Sequence, residues 1–270
     1  MGKFDGVLFY TDYDDTLYNS ALTVSPENRA AIRWFIQNGG HFSIATGRAH
    51  RTFTPQIEKE HLTFNAPVVL SNGAALFDYG ANVYLFQSLL DETTPARMVG
   101  LCQAFPDLAF EAYHGEDIYV HNPNVVTMTH LERVGSPYTT CPIPDMPTPW
   151  NKVIMEQDAP CLKEIRNYIL RHWPEDYEVI FSNPYLLELT AKGSHKGTTV
   201  ARAADLLGIA RKNLYCIGDN QNDIPMLALS AIPFAPSNCA QEVKDWGARV
   251  LGSCDEHAVA QAIAILDKLY

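Results

Sequence analysis

The sequence predicts an α/β protein: a parallel sheet with crossover helices, interrupted by an inserted α+β domain. Three observations point there. Short apolar, β-prone runs alternate with amphipathic helical patterns through residues 1–82 and again through 187–270. Between them, residues 83–186 break that rhythm with mixed elements and a Pro-rich loop. The apolar runs of the outer segments end in Asp, Thr and Asn, on the side of an open parallel sheet where ligands bind.

Val7 to Tyr10 form the first strand and run straight into Asp12, Asp14 and Asp15. In "TVSPENRAAIRWFIQNGG", Ser25 is placed to cap a helix with Pro26 at its first position. Ile32, Phe35 and Ile36 share one face of that helix, and Gly39–Gly40 ends it. "HFSIATGR" is a short strand entering a Gly turn, and "APVVLSNGA" is another. The insert holds a helix near 93–105, short strands around 108–121, the loop "CPIPDMPTPW" and a helix near 159–172. "YLLELT" then restarts the outer rhythm, followed by the Ala-rich helix "TTVARAADLLGI" closed by Gly208. Two strands, "NLYCIGDN" and "AIPFAPSN", and a helix near 256–269 complete the series.

The 270 residues suffice for one large domain or two modest ones, and the 47% hydrophobic content fits a globular protein. No apolar run approaches the roughly 20 residues of a membrane span. The start has no signal-peptide layout, because acidic residues follow its apolar run at once, so a cytoplasmic protein is expected. The net charge of −11 argues against nucleic acid or an anionic membrane as partner, since both demand a basic face. An anionic small molecule, held by a few local cations, stays compatible with it. Cys102, Cys141, Cys161, Cys216, Cys239 and Cys254 lie at least fifteen residues apart without zinc-like spacing, as free thiols do.

The acidic end of the first strand demands a partner. Two like charges 4 Å apart repel by about 4 kcal/mol at an effective dielectric near 20. A fold that seats Asp12, Asp14 and Asp15 together therefore needs a compensating cation. Four strand-end segments can converge on one site: Asp12-Tyr13-Asp14-Asp15-Thr16, Thr46-Gly47-Arg48, Lys196-Gly197, and Gly218-Asp219-Asn220-Gln221-Asn222-Asp223.

In this order, the four segments resemble the motifs of the haloacid dehalogenase superfamily of phosphatases. The closest likeness is to its Cof-type members (class IIB, C2B cap), whose large cap is inserted between the second and third motifs. Asp12, Asp14 and Thr16 match Asp-x-Asp-x-Thr; Thr46 matches the strand-end Ser or Thr; Lys196 matches the Lys before Gly; and "GDNQND" matches Gly-Asp-x-x-Asn-Asp. The Asn-Gly step of "SNGA" is similar to one ahead of the family's cap. The resemblance implies a Rossmann-like catalytic core of residues 1–82 and 187–270 and a cap of residues 83–186 that closes over the site. It also implies a Mg²⁺-dependent phosphomonoester hydrolase acting on a small phosphorylated metabolite, a sugar phosphate or phosphorylated cofactor, as a monomer or small homo-oligomer.

Phosphoryl transfer explains the residue types. Catalysis on an anionic ester is mostly positioning and charge neutralisation. Asp12 is suited to attack phosphorus, and Asp14 to protonate the leaving oxygen and then deprotonate water. Asp12, Asp219 and the Asp14 backbone carbonyl offer hard oxygen ligands to Mg²⁺, with Asp223 beside them as an orienting group. Lys196, Thr46 and the Gly47 backbone are placed to take charge on the equatorial oxygens, and Asn72 and Asn222 to touch the phosphate or leaving group. Lys192 also precedes Gly, but the family's spacing from "LLELT" favours Lys196. Asp15 is expected to cap a turn, Asn238 to be a turn residue, and His195 to be a candidate by proximity alone. Arg48 is either a site residue or a turn residue paired with a carboxylate.

Two other functions fit the same motifs. A phosphosugar mutase would pass the phosphoryl group to a sugar hydroxyl, and a catalytically silent protein would only bind a sugar phosphate. The intact Asp12, Asp14, Lys196 and Asp219 argue against the silent protein.

Overall fold

The structure, a computed structural model, describes residues 2–270. Among these, two compact units are distinguished. One comprises the chain up to Arg48, Phe53–Phe86 and His195–Tyr270; the other comprises Ala49–Thr52 and Gln87–Ser194.

The first unit opens with β1 (Leu8–Thr11), α1 (Pro26–Gln37) and β2 (His41–Ile44). Ser25 caps α1, accepting from the Asn28 N–H, with Pro26 at the first position. Then come α2 (His50–Lys59), β3 (Val68–Leu70), β4 (Ala75–Asp78) and β5 (Val83–Gln87). β3, β4 and β5 form a small sheet of their own, and one parallel bridge, Ala45 to Val69, ties it to the end of β2.

The second unit contains α3 (Thr94–Ala104), β6 (Ala109–His114), β7 (Asp117–His121), α4 (Val125–Val134), β8 (Tyr138–Thr140), β9 (Lys152–Glu156), α5 (Ala159–His172), β10 (Tyr177–Asn183) and β11 (Leu186–Ala191). Its sheet runs β10-β11-β9-β6-β7-β8. One face packs Phe110, Ala112, Val153, Met155, Leu187 and Leu189 against α3 and α5. The opposite face sets Tyr113, Ile118, Val120, Ile154 and Leu186 against Leu131 of α4. This alternation is the period-2 geometry of strands covered on both faces.

The first unit resumes with α6 (Lys196–Leu206), β12 (Leu214–Ile217), α7 (Ile224–Leu227), β13 (Pro233–Ala235), α8 (Gln241–Trp246), β14 (Arg249–Val250) and α9 (Ala258–Asp267). Its main sheet is parallel, in the order β14-β13-β12-β1-β2. Phe9 and Ile217 pack towards α1 and α9 on one face, while Leu8, Tyr10 and Cys216 pack towards α6 on the other. Central β1 is therefore buried on both sides, which is why its sequence is a continuous apolar run rather than an alternating one.

The seams between units differ from those expected. β11, which contains most of "YLLELT", pairs antiparallel with β9 and β10 in the second unit, and the return to the first unit comes at His195 instead of 187. The reason is that a strand buried on both faces carries the same apolar run in either kind of sheet. α2, α4, α7, α8, β4, β5, β8, β9, β10 and β14 add to the elements expected.

Candidate active site

β1, flanked by β2 and β12, delivers Asp12 at its carboxyl end, where the Asp12 N–H donates to the Ile217 carbonyl (2.9 Å). From the first turn of α6, Lys196 sends a fully buried ammonium to Asp12 Oδ1 (2.5 Å) and Asp223 Oδ1 (2.6 Å). Asp12, Asp219 and Asp223 offer carboxylate oxygens that all lie within 4.8 Å of one another. Thr16 Oγ1 donates to Asp219 Oδ1 (3.1 Å). The other oxygen of Asp223, Oδ2, accepts from the N–H groups of Asp219 (2.9 Å) and Asn220 (3.0 Å), fixing the loop that carries Asp219. This packing needs a glycine: a Cβ on Gly218 would stand 2.4 Å from Asp223 Cγ.

A second feature arises from the Thr46-Gly47-Arg48 turn. The Ser71 N–H donates to the Arg48 carbonyl (2.9 Å) and the Asn72 N–H to the Thr46 carbonyl (3.0 Å), locking this turn to the "SNG" turn. Ser71 and Asn72 adopt φ of 50° and 53°, a left-handed conformation costly for both and more so for Ser. Gly73, at φ +100°, lies so close to the start of α6 that a Cβ would come within 2.2 Å of the His195 carbonyl carbon. Its carbonyl accepts from Thr199 Oγ1 (2.7 Å). Asn72 thereby meets Asn222, whose Nδ2 donates to Asn72 Oδ1 (2.9 Å). Asn72 Nδ2 and Asn222 Oδ1 are buried without a hydrogen-bond partner, which leaves one donor and one acceptor for a ligand.

Thr46 is fully buried, and its Oγ1 accepts from the Arg48 N–H (3.1 Å). Arg48 clasps the carboxylate of Asp14 through two hydrogen bonds, Nε to Oδ2 (2.9 Å) and Nη2 to Oδ1 (2.7 Å). Of the two readings open for Arg48, pairing with a carboxylate is the observed one, and the carboxylate is a site candidate. The side chain of Asp14 is thus engaged by Arg48, while the clustered carboxylates are those of Asp12, Asp219 and Asp223.

Three acidic groups around one ammonium leave the pocket short of positive charge. Burial pushes the Asp12 carboxyl up to about 7, although Lys196 opposes the shift. Burial, with Asp12 and Asp223 adding to it, raises Asp219 well above the usual carboxylate range. Burial alone would lower Lys196, but the two carboxylates at its ammonium hold it above an ordinary lysine. Removing charge from water is unfavourable unless it is balanced, and among the described residues Lys196 supplies the one cation in contact with this cluster.

The remaining candidates have structural partners. His195 caps α6, its Nδ1 accepting from the Thr198 N–H (3.2 Å). Asp15 sits at φ 60°, and its carbonyl accepts from Asn238 Nδ2 (2.8 Å). Lys192 belongs to the second unit, 3.8 Å from Glu178. The Arg48–Asp14 pair could have been anticipated only from a rule that the strand-end turn after Thr46 faces the turn after Asp12.

A family model for haloacid dehalogenase-like hydrolases matches residues 9–263. The chain is 26% identical to the 5-amino-6-(5-phospho-D-ribitylamino)uracil phosphatase YwtE of Bacillus subtilis, across 93% of this chain and 95% of that one. It is 24% identical to the pyridoxal phosphate phosphatase YbhA of Escherichia coli, with the same two coverages, 93% and 95%. Among solved structures, that of the HAD subclass IIB sugar phosphatase BT4131 superposes with a TM-score of 0.85 over 97% of this chain and 99% of that one, at 20% identity, a likeness of fold.

Proposed function

Because the chain belongs to the haloacid dehalogenase-like hydrolases, we propose that it is a Mg²⁺-dependent phosphatase of small phosphorylated metabolites, working through an aspartyl-phosphate on Asp12. The observation that carries the reading is the meeting of Asp12, Lys196, Asp219 and Asp223 at the carboxyl ends of parallel strands. The relatives named above as phosphatases of a ribitylaminouracil phosphate and of pyridoxal phosphate support a small, polar phosphomonoester as substrate.

The donor set fits Mg²⁺. It is all oxygen, mostly carboxylate, hard and short of positive charge, as that ion requires. Asp12, Asp219 and the Asp14 backbone carbonyl would hold it, with Asp223 alongside. Bound there, the ion would supply charge neutralisation for an anionic ester.

Asp12 attacks phosphorus through a carboxylate oxygen. The bond to the ester oxygen breaks, and Asp14, having left the Arg48 fork and taken a proton from solvent, gives that proton to the ester oxygen. Water then attacks the same phosphorus and loses a proton to Asp14, the acyl-phosphate bond breaks, and inorganic phosphate departs with Asp12 and Asp14 restored. Lys196 stabilises charge on the phosphoryl oxygens while holding Asp12 in place. Thr46, the Gly47 backbone, Asn72 and Asn222 complete the cradle, the two asparagines contributing the buried amide atoms that lack protein partners.

A panel of phosphorylated metabolites, assayed for phosphate release with and without Mg²⁺, tests the proposal. Metal-dependent release from at least one small ester is the expected result. Conversion of a hexose 1-phosphate into the 6-phosphate with little free phosphate would replace hydrolase by mutase, and tight binding without any release would leave a binding protein.

A further inference from the structure

We propose that Glu111, His130 and Glu156 form a binding site in the second unit for a divalent transition-metal ion of the Zn²⁺ class. Glu111 on β6 and Glu156 on β9 are offset by two residues across paired strands, because Ile154 lies opposite Glu111, and both side chains emerge on the face covered by α4. His130 descends from α4 between them. Its Nδ1 lies 2.9 Å from Glu111 Oε1 and 3.2 Å from Glu156 Oε1. Ligand atoms of all three residues fall within 4.8 Å of one another.

Glu156 provides the independent sign of a missing ligand. It is fully buried, yet neither carboxylate oxygen has a hydrogen-bond partner. The hydrogen bond of Nδ1 goes to Glu111, and Glu156 Oε1 has the same nitrogen only as a shared ion-pair partner at 3.2 Å. Two buried carboxylates that share one imidazole are expensive, so a further cation is the natural occupant. Even with the imidazole charged, two carboxylates leave one negative charge uncompensated; a divalent ion with a neutral imidazole balances both.

The surroundings suit a bound metal. The Tyr113 hydroxyl donates to Glu111 Oε2 (2.7 Å), turning Oε1 towards the imidazole as an outer partner does for a metal ligand. Asn124 Nδ2 donates to the Glu156 carbonyl (2.8 Å), tying the start of α4 to the strand that carries the third ligand. Leu131, Val120 and Ile154 supply an apolar wall. One imidazole nitrogen among carboxylate oxygens favours Zn²⁺ over Mg²⁺, which prefers oxygen alone. Donors around a tetrahedral ion with bonds of about 2.1 Å stand about 3.4 Å apart, a few tenths beyond the spacing present.

The test uses the full chain carrying Asp12→Asn and Asp219→Asn, which dismantle the carboxylate cluster of the first unit. Zn²⁺ is titrated in competition with a chromophoric chelator. One ion per chain is expected, with affinity at least about tenfold weaker after His130→Gln or Glu156→Gln. Co²⁺ should give visible ligand-field bands in the chain with His130 intact and lose them in His130→Gln, and the first of these readings needs no cap variant to fold. Absence of both Zn²⁺ binding and Co²⁺ bands would overturn the proposal and leave protons as what neutralises the cluster. Unchanged affinity in both His130→Gln and Glu156→Gln would overturn it too.

Discussion

Arg48 holds both carboxylate oxygens of Asp14, with Nε 2.9 Å from one and Nη2 2.7 Å from the other. The guanidinium also lies 5.3 Å from the Tyr13 ring centroid, so it is fixed from two directions. A planar fork of this kind sets the orientation of its carboxylate, which a lysine cannot reproduce.

Replacing Arg48 therefore tests whether Asp14 must be aimed. Arg48→Met should lower kcat by about tenfold or more while changing KM less, because misplacing the carboxylate that takes a proton from water costs the chemical step. Arg48→Lys should not restore the rate. Steady-state kinetics on both variants, with circular dichroism to verify folding, decide the matter; a wild-type kcat in Arg48→Met would show that Asp14 needs no clasp.

Asp12→Asn should fold normally and lose roughly three orders of magnitude or more in kcat, since an amide is no nucleophile towards phosphorus. Acid-quenched phosphoprotein should be trapped in the unaltered chain and absent from the variant. Turnover near wild type would place the nucleophile elsewhere.

Lys196→Met should cost stability as well as rate. The ammonium is fully buried between Asp12 and Asp223, and removing one partner of such an arrangement typically costs about 3–5 kcal/mol. Urea unfolding should show the loss without metal, and added Mg²⁺ should recover part of it. A midpoint equal to wild type would mean that the buried pairs contribute nothing.

Gly73→Ala should destabilise the chain by about 1–3 kcal/mol through backbone strain at φ +100° and the clash with His195. Because His195 precedes Lys196, kcat should fall too. Equal melting temperatures for variant and wild type would contradict the close approach.

Chelation should abolish phosphate release, with Mg²⁺ restoring it, because the protein offers one ammonium to three clustered carboxylates. Undiminished activity after exhaustive EDTA treatment would remove the metal from the reaction.

The sequence by itself determined the alternating architecture at both ends and the capped start of α1, and it singled out the residues of the candidate site. Those features are written in local order: Ser25 before Pro26, an apolar run ahead of Asp12, Gly218 ahead of Asp219. Only the tertiary structure decided that Lys196 bridges Asp12 and Asp223, that Arg48 meets Asp14, and that β11 belongs to the antiparallel sheet. It alone brought His130 of α4 against Glu111 and Glu156 of two different strands. Periodicity reports which face of an element is buried, but carries no record of which distant element covers that face; that partner is chosen by chain-wide packing, and so are the charges that come to lie together.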